Sequence, residues 1–119
     1  MKISELTGEA LDWAVSECES RLYSPNPSSR YYFSPSTNWA QGGPIIERVI
    51  NKLWRNLNGT YGAQIKYRAP YYSPTYDADI GTDAFINKHG DTPLVAAMRC
   101  YVASKLGDEI EIPDELITP

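Results

Sequence analysis

A chain of 119 residues, 42% apolar and 22% charged, is sized for one domain with a genuine but modest core. Its net charge of −4 and pI of about 4.9 argue against a nonspecific nucleic-acid binder, which would be basic. No apolar run reaches membrane-spanning length and Met1-Lys2 leads into a polar helix start, so neither an export signal nor an anchor is expected.

The first element is expected at residues 4–20, SELTGEALDWAVSECES. Leu6, Ala10, Leu11, Ala14, Val15 and Cys18 fall there on one stripe at three- and four-residue spacing. Ser4 or Thr7 can cap this helix, and Glu5 and Glu9 suit its positive end. Trp13, at the stripe's edge, is expected in the core. Residues 24–44 hold Pro25, Pro27, Pro35, Pro44, Gly42 and Gly43 and read as irregular chain, with RYYF as a short strand between the prolines. Such a long loop in a small domain is often functional.

Residues 45–56, IIERVINKLWRN, are ambiguous. Ile45, Ile46, Val49, Ile50, Leu53 and Trp54 have helical spacing, whereas the β-branched content suits a strand. Asn58-Gly59 signals a turn. YGAQIKYRA then alternates as a strand stopped by Pro70, and residues 70–91 read as a second long surface excursion. The next helix is the clearest. Thr92 caps it, Pro93 takes its first position, Lys105 suits its last turn and Gly107 ends it. Val95, Met98, Val102 and Leu106 form its buried stripe, widened by Leu94 and Ala103. EIEIP alternates as a short closing strand. The expected fold is α+β, a single small domain over 1–119: two main helices packed on a small, mostly antiparallel sheet with long loops.

The wording of three blocks, ISELTGEALDWAV, SPSTNWAQGGPIIE and GDTPLVAAMRCYVASKLGDEIEIP, resembles the NinX family, small proteins carried by lambdoid phages and prophages of enteric bacteria. The blocks cover roughly half the chain, and Val49 to His89 is the poor match. The resemblance implies a phage accessory protein working in the host cytoplasm. It carries no mechanism and no site residues.

Catalytic chemistry has little to stand on. His89 is the single histidine, and Cys18 and Cys100 lie far apart on apolar helix faces, as free thiols in a reducing compartment. One His and two separated Cys do not make a zinc site, and Asp77, Asp79 and Asp83 in DADIGTD lack the order of a calcium loop. No enzyme activity, metal or cofactor is expected.

SPSTNWAQGGPIIE supports two readings. As a hinge, Ser34-Pro35 and Gly43-Pro44 fix the chain's direction while Trp39 packs on the helices. As a ligand pocket, Gly42 and Gly43 permit positive φ and close approach, Ser36, Thr37, Asn38 and Gln41 supply donors, and Trp39 offers a face for a base. Arg30 and Tyr31 precede the block, and Arg30, Arg48, Arg99 or Lys105 would hold phosphate. The first functional expectation is therefore a non-enzymatic binder of a nucleotide-like small molecule, such as an anti-defence sponge. The alternative is docking on a host or phage protein through Tyr61, Tyr67, Arg68, Tyr71, Tyr72 and Tyr76. Neither a membrane nor nonspecific nucleic acid is an expected partner. A homo-oligomer is expected under both readings, because self-association would cover the aromatic loops.

Overall fold

A computed structural model describes residues 1–116; the last three residues lie outside the description. The order of elements is a 3-10 turn at Ile3–Glu5, α1 at Gly8–Cys18, α2 at Trp39–Val49, β1 at Lys52–Arg55, β2 at Tyr61–Ser73, β3 at Ala78–Gly90, α3 at Pro93–Leu106, and a 3-10 turn at Asp114–Leu116. The three strands form one antiparallel sheet in the order β1-β2-β3. The α+β expectation holds, with three helices among the described residues rather than two main ones.

Helix α3 is central because its sequence allows burial nearly all round. Leu94, Ala96, Ala97, Met98, Cys100, Tyr101, Val102 and Ala103 are all buried, as expected of a helix enclosed by other elements. It packs against β2, β3, α1 and α2. The alanines let neighbours approach on faces that the expected stripe leaves free, whereas Leu106 at the stripe's end is exposed. Thr92 Oγ1 accepts from Val95 N–H, Pro93 opens the helix, and Gly107 ends it at φ 88°, as the sequence predicts. Leu11, Ala14 and Val15 of α1 join Ile3 and Leu6 in the same core, and Trp13 packs at its edge. Cys100 is buried and Cys18 half-buried, and both are free thiols.

Five expectations give way. The irregular chain assigned to 24–44 ends at Asn38, and WAQGGPIIERV is helix α2. RYYF contributes only an isolated bridge between Ser24 and Tyr32. Pro70 does not stop β2, because its missing N–H is tolerated in a two-stranded ribbon; the pairing continues through Pro70↔Gly81 to Ser73↔Ala78. Residues 78–90, assigned to a surface excursion, are therefore β3. EIEIP likewise gives no strand, only a bridge from Glu109 to Lys2. The ambiguous 45–56 segment divides: helix to Val49, strand from Lys52.

Candidate functional site

The SPSTNWAQGGP block turns out to be the start of a helix. Asn38 is the N-cap of α2, its Oδ1 accepting from Ala40 N–H at 2.9 Å. Gln41, one turn in, reaches back so that its Oε1 accepts from Ser34 N–H at 2.7 Å. Ser36 N–H donates to the Asp12 carboxylate at 2.9 Å. The side-chain oxygens of Asn38 and Gln41 are thus spent within the block, and Ser36 N–H on α1, rather than on a ligand.

The two glycines have separate reasons, and neither takes a positive φ. Gly42 is buried, and a Cβ there would strike Pro35 O and Leu94 Cδ2. It lets α2 press on the start of α3. Gly43 faces open space. It precedes Pro44 inside the helix, where a side chain would crowd the proline ring in the α conformation. What remains of the expected pocket is a groove of about 250 Å3 lined by Ser36, Thr37, Trp39, Thr92, Pro93, Leu94 and Val95. Trp39, at the first position of α2, is 54% exposed beside it.

The expected cations do not gather there. Arg30 lies over the Tyr31 ring and donates to its hydroxyl, away from the groove's lining. Arg48 pairs with Glu19 at 2.7 Å, and Tyr101 O–H donates to the same carboxylate. Burial alone would raise the Glu19 carboxyl, but these two hydrogen bonds outweigh it and hold it below the usual range. Arg99 lines a different cavity, described below. Burial pushes both Cys18 and Cys100 up to about 11, so neither is an activated nucleophile. No group of three or more metal-ligating side chains occurs among the described residues, and no helix is long and apolar enough to cross a membrane.

The second candidate region is the β2–β3 ribbon. Its register puts Ala63, Ile65, Tyr67, Ala69 and Tyr71 on one face with Lys88, Ile86, Ala84, Thr82 and Ile80 opposite them. Near the body this face is core: Ala63 and Ile65 are buried and Ile86 packs against the same cluster. Farther out the same face runs on uncharged, but nothing covers it. Tyr67, Tyr71 and Ile80 are exposed, Tyr71 at 52%. The other face carries charge. Lys66 and Arg68 pair with Asp83 at 3.4 and 3.2 Å, and Arg68 also donates to Gly81 O at 2.7 Å. The Arg68 hydrogen bond holds the Asp83 carboxyl below its ordinary range. Near the tip, Tyr72 O–H donates to the Asp77 carboxylate.

This arm makes the molecule long. The extents are 58 × 32 × 25 Å and the radius of gyration is 16.0 Å, against about 13.5 Å for a compact chain of this length. Tyr71 and Tyr72 point to opposite faces, so the set of five tyrosines and Arg68 read from the sequence is not one patch. Tyr61, half-buried at the ribbon's base, packs against the core. Phe85 and Ile80, both exposed, were missing from that set. The signal was present in ADIGTDAFI, which alternates with period two.

A family model described as Bacteriophage P22, NinX matches residues 2–105, a span that includes the arm and the whole region from Val49 to His89. No curated protein matches the chain.

Proposed function

This chain belongs to the phage NinX family and is a phage accessory protein; from that premise we propose that it acts in the host cytoplasm, without catalysis, by inserting its β2–β3 arm into a cleft on a protein partner of the host or phage. The observation that carries this reading is the continuity of one face. The surface that is buried core at Ala63 and Ile65 continues outward as Tyr67, Ala69, Tyr71, Ile80, Thr82 and Ala84 with no element over it. A two-stranded ribbon is marginal in water, and an uncovered apolar face marks an interaction site.

Area argues for a cleft over a flat contact. Seven residues beyond the body at about 3.4 Å each, on a ribbon about 10 Å wide, give roughly 250 Å2 on one face. That is below the roughly 800 Å2 per partner of a standard interface. Two copies meeting face to face would fall short, whereas a cleft enclosing both faces and edges would bury on the order of 1,000 Å2.

The test places a photo-crosslinking residue at Tyr71, with Glu115 as the control position, in cells infected by the phage. A single adduct at Tyr71 and none at Glu115, lost when Tyr67→Asp is added, is the expected result. An adduct of twice the chain mass would put a second copy on the arm instead. No adduct at Tyr71 would refute the reading.

A second reading rests on Trp39, whose half-exposed indole beside the groove of about 250 Å3 suits stacking on a base. On this reading the protein sequesters a nucleotide-like signal molecule. Thermal-shift screening with cyclic dinucleotides at millimolar concentration tests it, since even weak binding stabilises by mass action. An unchanged midpoint counts against it.

A further inference from the structure

At the end of β3 a groove of about 410 Å3 is lined by Ser4, Thr60, Asn87, Lys88, His89, Gly90, Asp91 and Arg99. Arg99 is half-buried within the body. Its Nε donates to Leu6 O and its Nη1 to His89 O, both at 2.8 Å. A guanidinium has five N–H donors, so some remain beyond these two bonds, and Arg99 lines the groove. No carboxylate among the described residues lies within ion-pairing distance of it. Burial lowers its pKa, with Asp91 offsetting this from longer range. A partly desolvated cation with Asp91 only at longer range is costly, and an anion in the groove would relieve that cost.

The neighbouring donors point the same way. Trp54 Nε1 donates to Asn56 Oδ1 at 2.9 Å, which fixes the orientation of that amide. Asn56 Nδ2 then faces His89 Nδ1 at 3.1 Å and Thr60 Oγ1 at 2.9 Å. An acceptor role for Nδ1 places the proton of the neutral ring on Nε2 and leaves that N–H free, on a ring that stands edge-on to Trp54 at the border of the groove. Lys88 holds Asp108 at 2.9 Å on the same stretch. Gly90 makes the wall possible: a Cβ there would sit 2.8 Å from Ala96 N and from Val95 Cγ1, so only glycine lets the strand end close on α3.

We propose that this groove is a binding site for a small oxyanion of the phosphate or phosphomonoester class, anchored by Arg99 with the Ser4 hydroxyl beside it and His89 at its edge. It is independent of the arm, and it differs from the Trp39 groove in position and lining.

His89 is the single histidine, so its imidazole proton resonance is an unambiguous reporter. Inorganic phosphate is titrated at constant pH and ionic strength, with chloride as the balancing anion. The expected result is a saturable shift with a midpoint in the millimolar range or below. Arg99→Gln should weaken it at least tenfold. Because Arg99 also ties Leu6 and His89 together, a second variant guards against misfolding. Ser4→Glu puts a carboxylate at an exposed position on the groove's rim, where it competes for Arg99; it should remove the phosphate response while leaving the dispersed spectrum of a folded chain. A response no larger than chloride alone gives, or one that survives in both variants, overturns the proposal.

Discussion

Adding one methyl group to either of two adjacent glycines should have different consequences. In an exposed helix, Gly→Ala gains about 1 kcal/mol from backbone entropy. At Gly42 that gain meets two collisions, one with Pro35 O and one with Leu94 Cδ2. The backbone oxygen belongs to a fully buried proline and has little room to retreat. Overpacking costs typically 1–3 kcal/mol; two simultaneous collisions, one with backbone, put this site at about 2–3 kcal/mol, so Gly42→Ala should lose about 1–2 kcal/mol net. At Gly43 the new methyl meets nothing. Only the crowding of a residue before proline opposes the entropic gain, and Gly43→Ala should fall between zero and about 1 kcal/mol of stabilisation. At this size each kcal/mol moves Tm by about 4 °C. Thermal melts followed by circular dichroism should therefore separate the two variants by about 4–12 °C, with Gly42→Ala the lower. Equal midpoints would refute the close approach of α2 to α3, and with it the account of why the block carries two glycines.

Trp39→Ala should cost about 1 kcal/mol or less, because the indole is half exposed and the Asn38 cap is untouched; a loss of about 3 kcal/mol in urea unfolding would put Trp39 in the core after all. Asp12 is 5% exposed, and burial raises its carboxyl above the usual range. The folded state thus holds the proton more tightly than the unfolded chain, so this contribution to stability is complete below the ordinary carboxylate range and is lost as pH rises through the raised value. Asp12→Asn should flatten that part of the pH profile and keep the acceptor for Ser36 N–H. Asp12→Ala should lose about 1–3 kcal/mol by orphaning that donor; urea midpoints from pH 4 to 8 check both. The thiols of Cys18 and Cys100, raised from 9.0 to about 11, carry about a hundredfold less thiolate near pH 8 than ordinary cysteines. Iodoacetamide should label the native chain far more slowly than the urea-unfolded chain, and comparable rates would refute the burial assigned to them.

The helices that advertise themselves in the sequence do so through chemistry local to each segment. Thr92, Pro93 and Gly107 bracket α3 with residues whose roles need no tertiary partner, and the stripe through Leu11, Ala14 and Val15 does the same for α1. Helix α2 is hidden because Gly42, Gly43 and Pro44 lower its intrinsic propensity, and tertiary contact overrides propensity. Asn38 is an ordinary N-cap residue, but that is visible only once the following Gly-Gly-Pro is allowed to be helical. The arm is obscured by Pro70, Gly81 and its aspartates, which read as turn residues. Here the alternation of Ala78, Ile80, Thr82, Ala84 and Ile86 was the better guide. The Arg99 groove is a matter of long-range geometry. Arg99 ranks equally with Arg30, Arg48 and Lys105 in the sequence, and only the fold gives Arg48 its Glu19 and leaves Arg99 without an ion-paired carboxylate among the described residues. His89 gains its setting from Asn56, 33 residues away, through a strand pairing that no local pattern announces.

On the docking reading proposed above, the arm's two faces would divide the work. Ordering each residue of an extended ribbon costs about 1–2 kcal/mol of backbone entropy, and the arm buries little of its own surface to offset that. A floppy ribbon would meet this cost on binding and lose affinity accordingly. The Lys66–Asp83–Arg68 cluster and the Tyr72–Asp77 hydrogen bond cross between the strands or close the tip. They lie on the face opposite Tyr67, Tyr71 and Ile80, apart from the turn residue Asp77. Cross-strand pairs of this kind hold the register without covering the apolar side. Register matters here because a one-residue slip would move Tyr71 and Ile80 to the charged face. On the proposed docking reading, the cross-strand charges favour the register that keeps Tyr71 and Ile80 together on the uncovered face that a partner would meet.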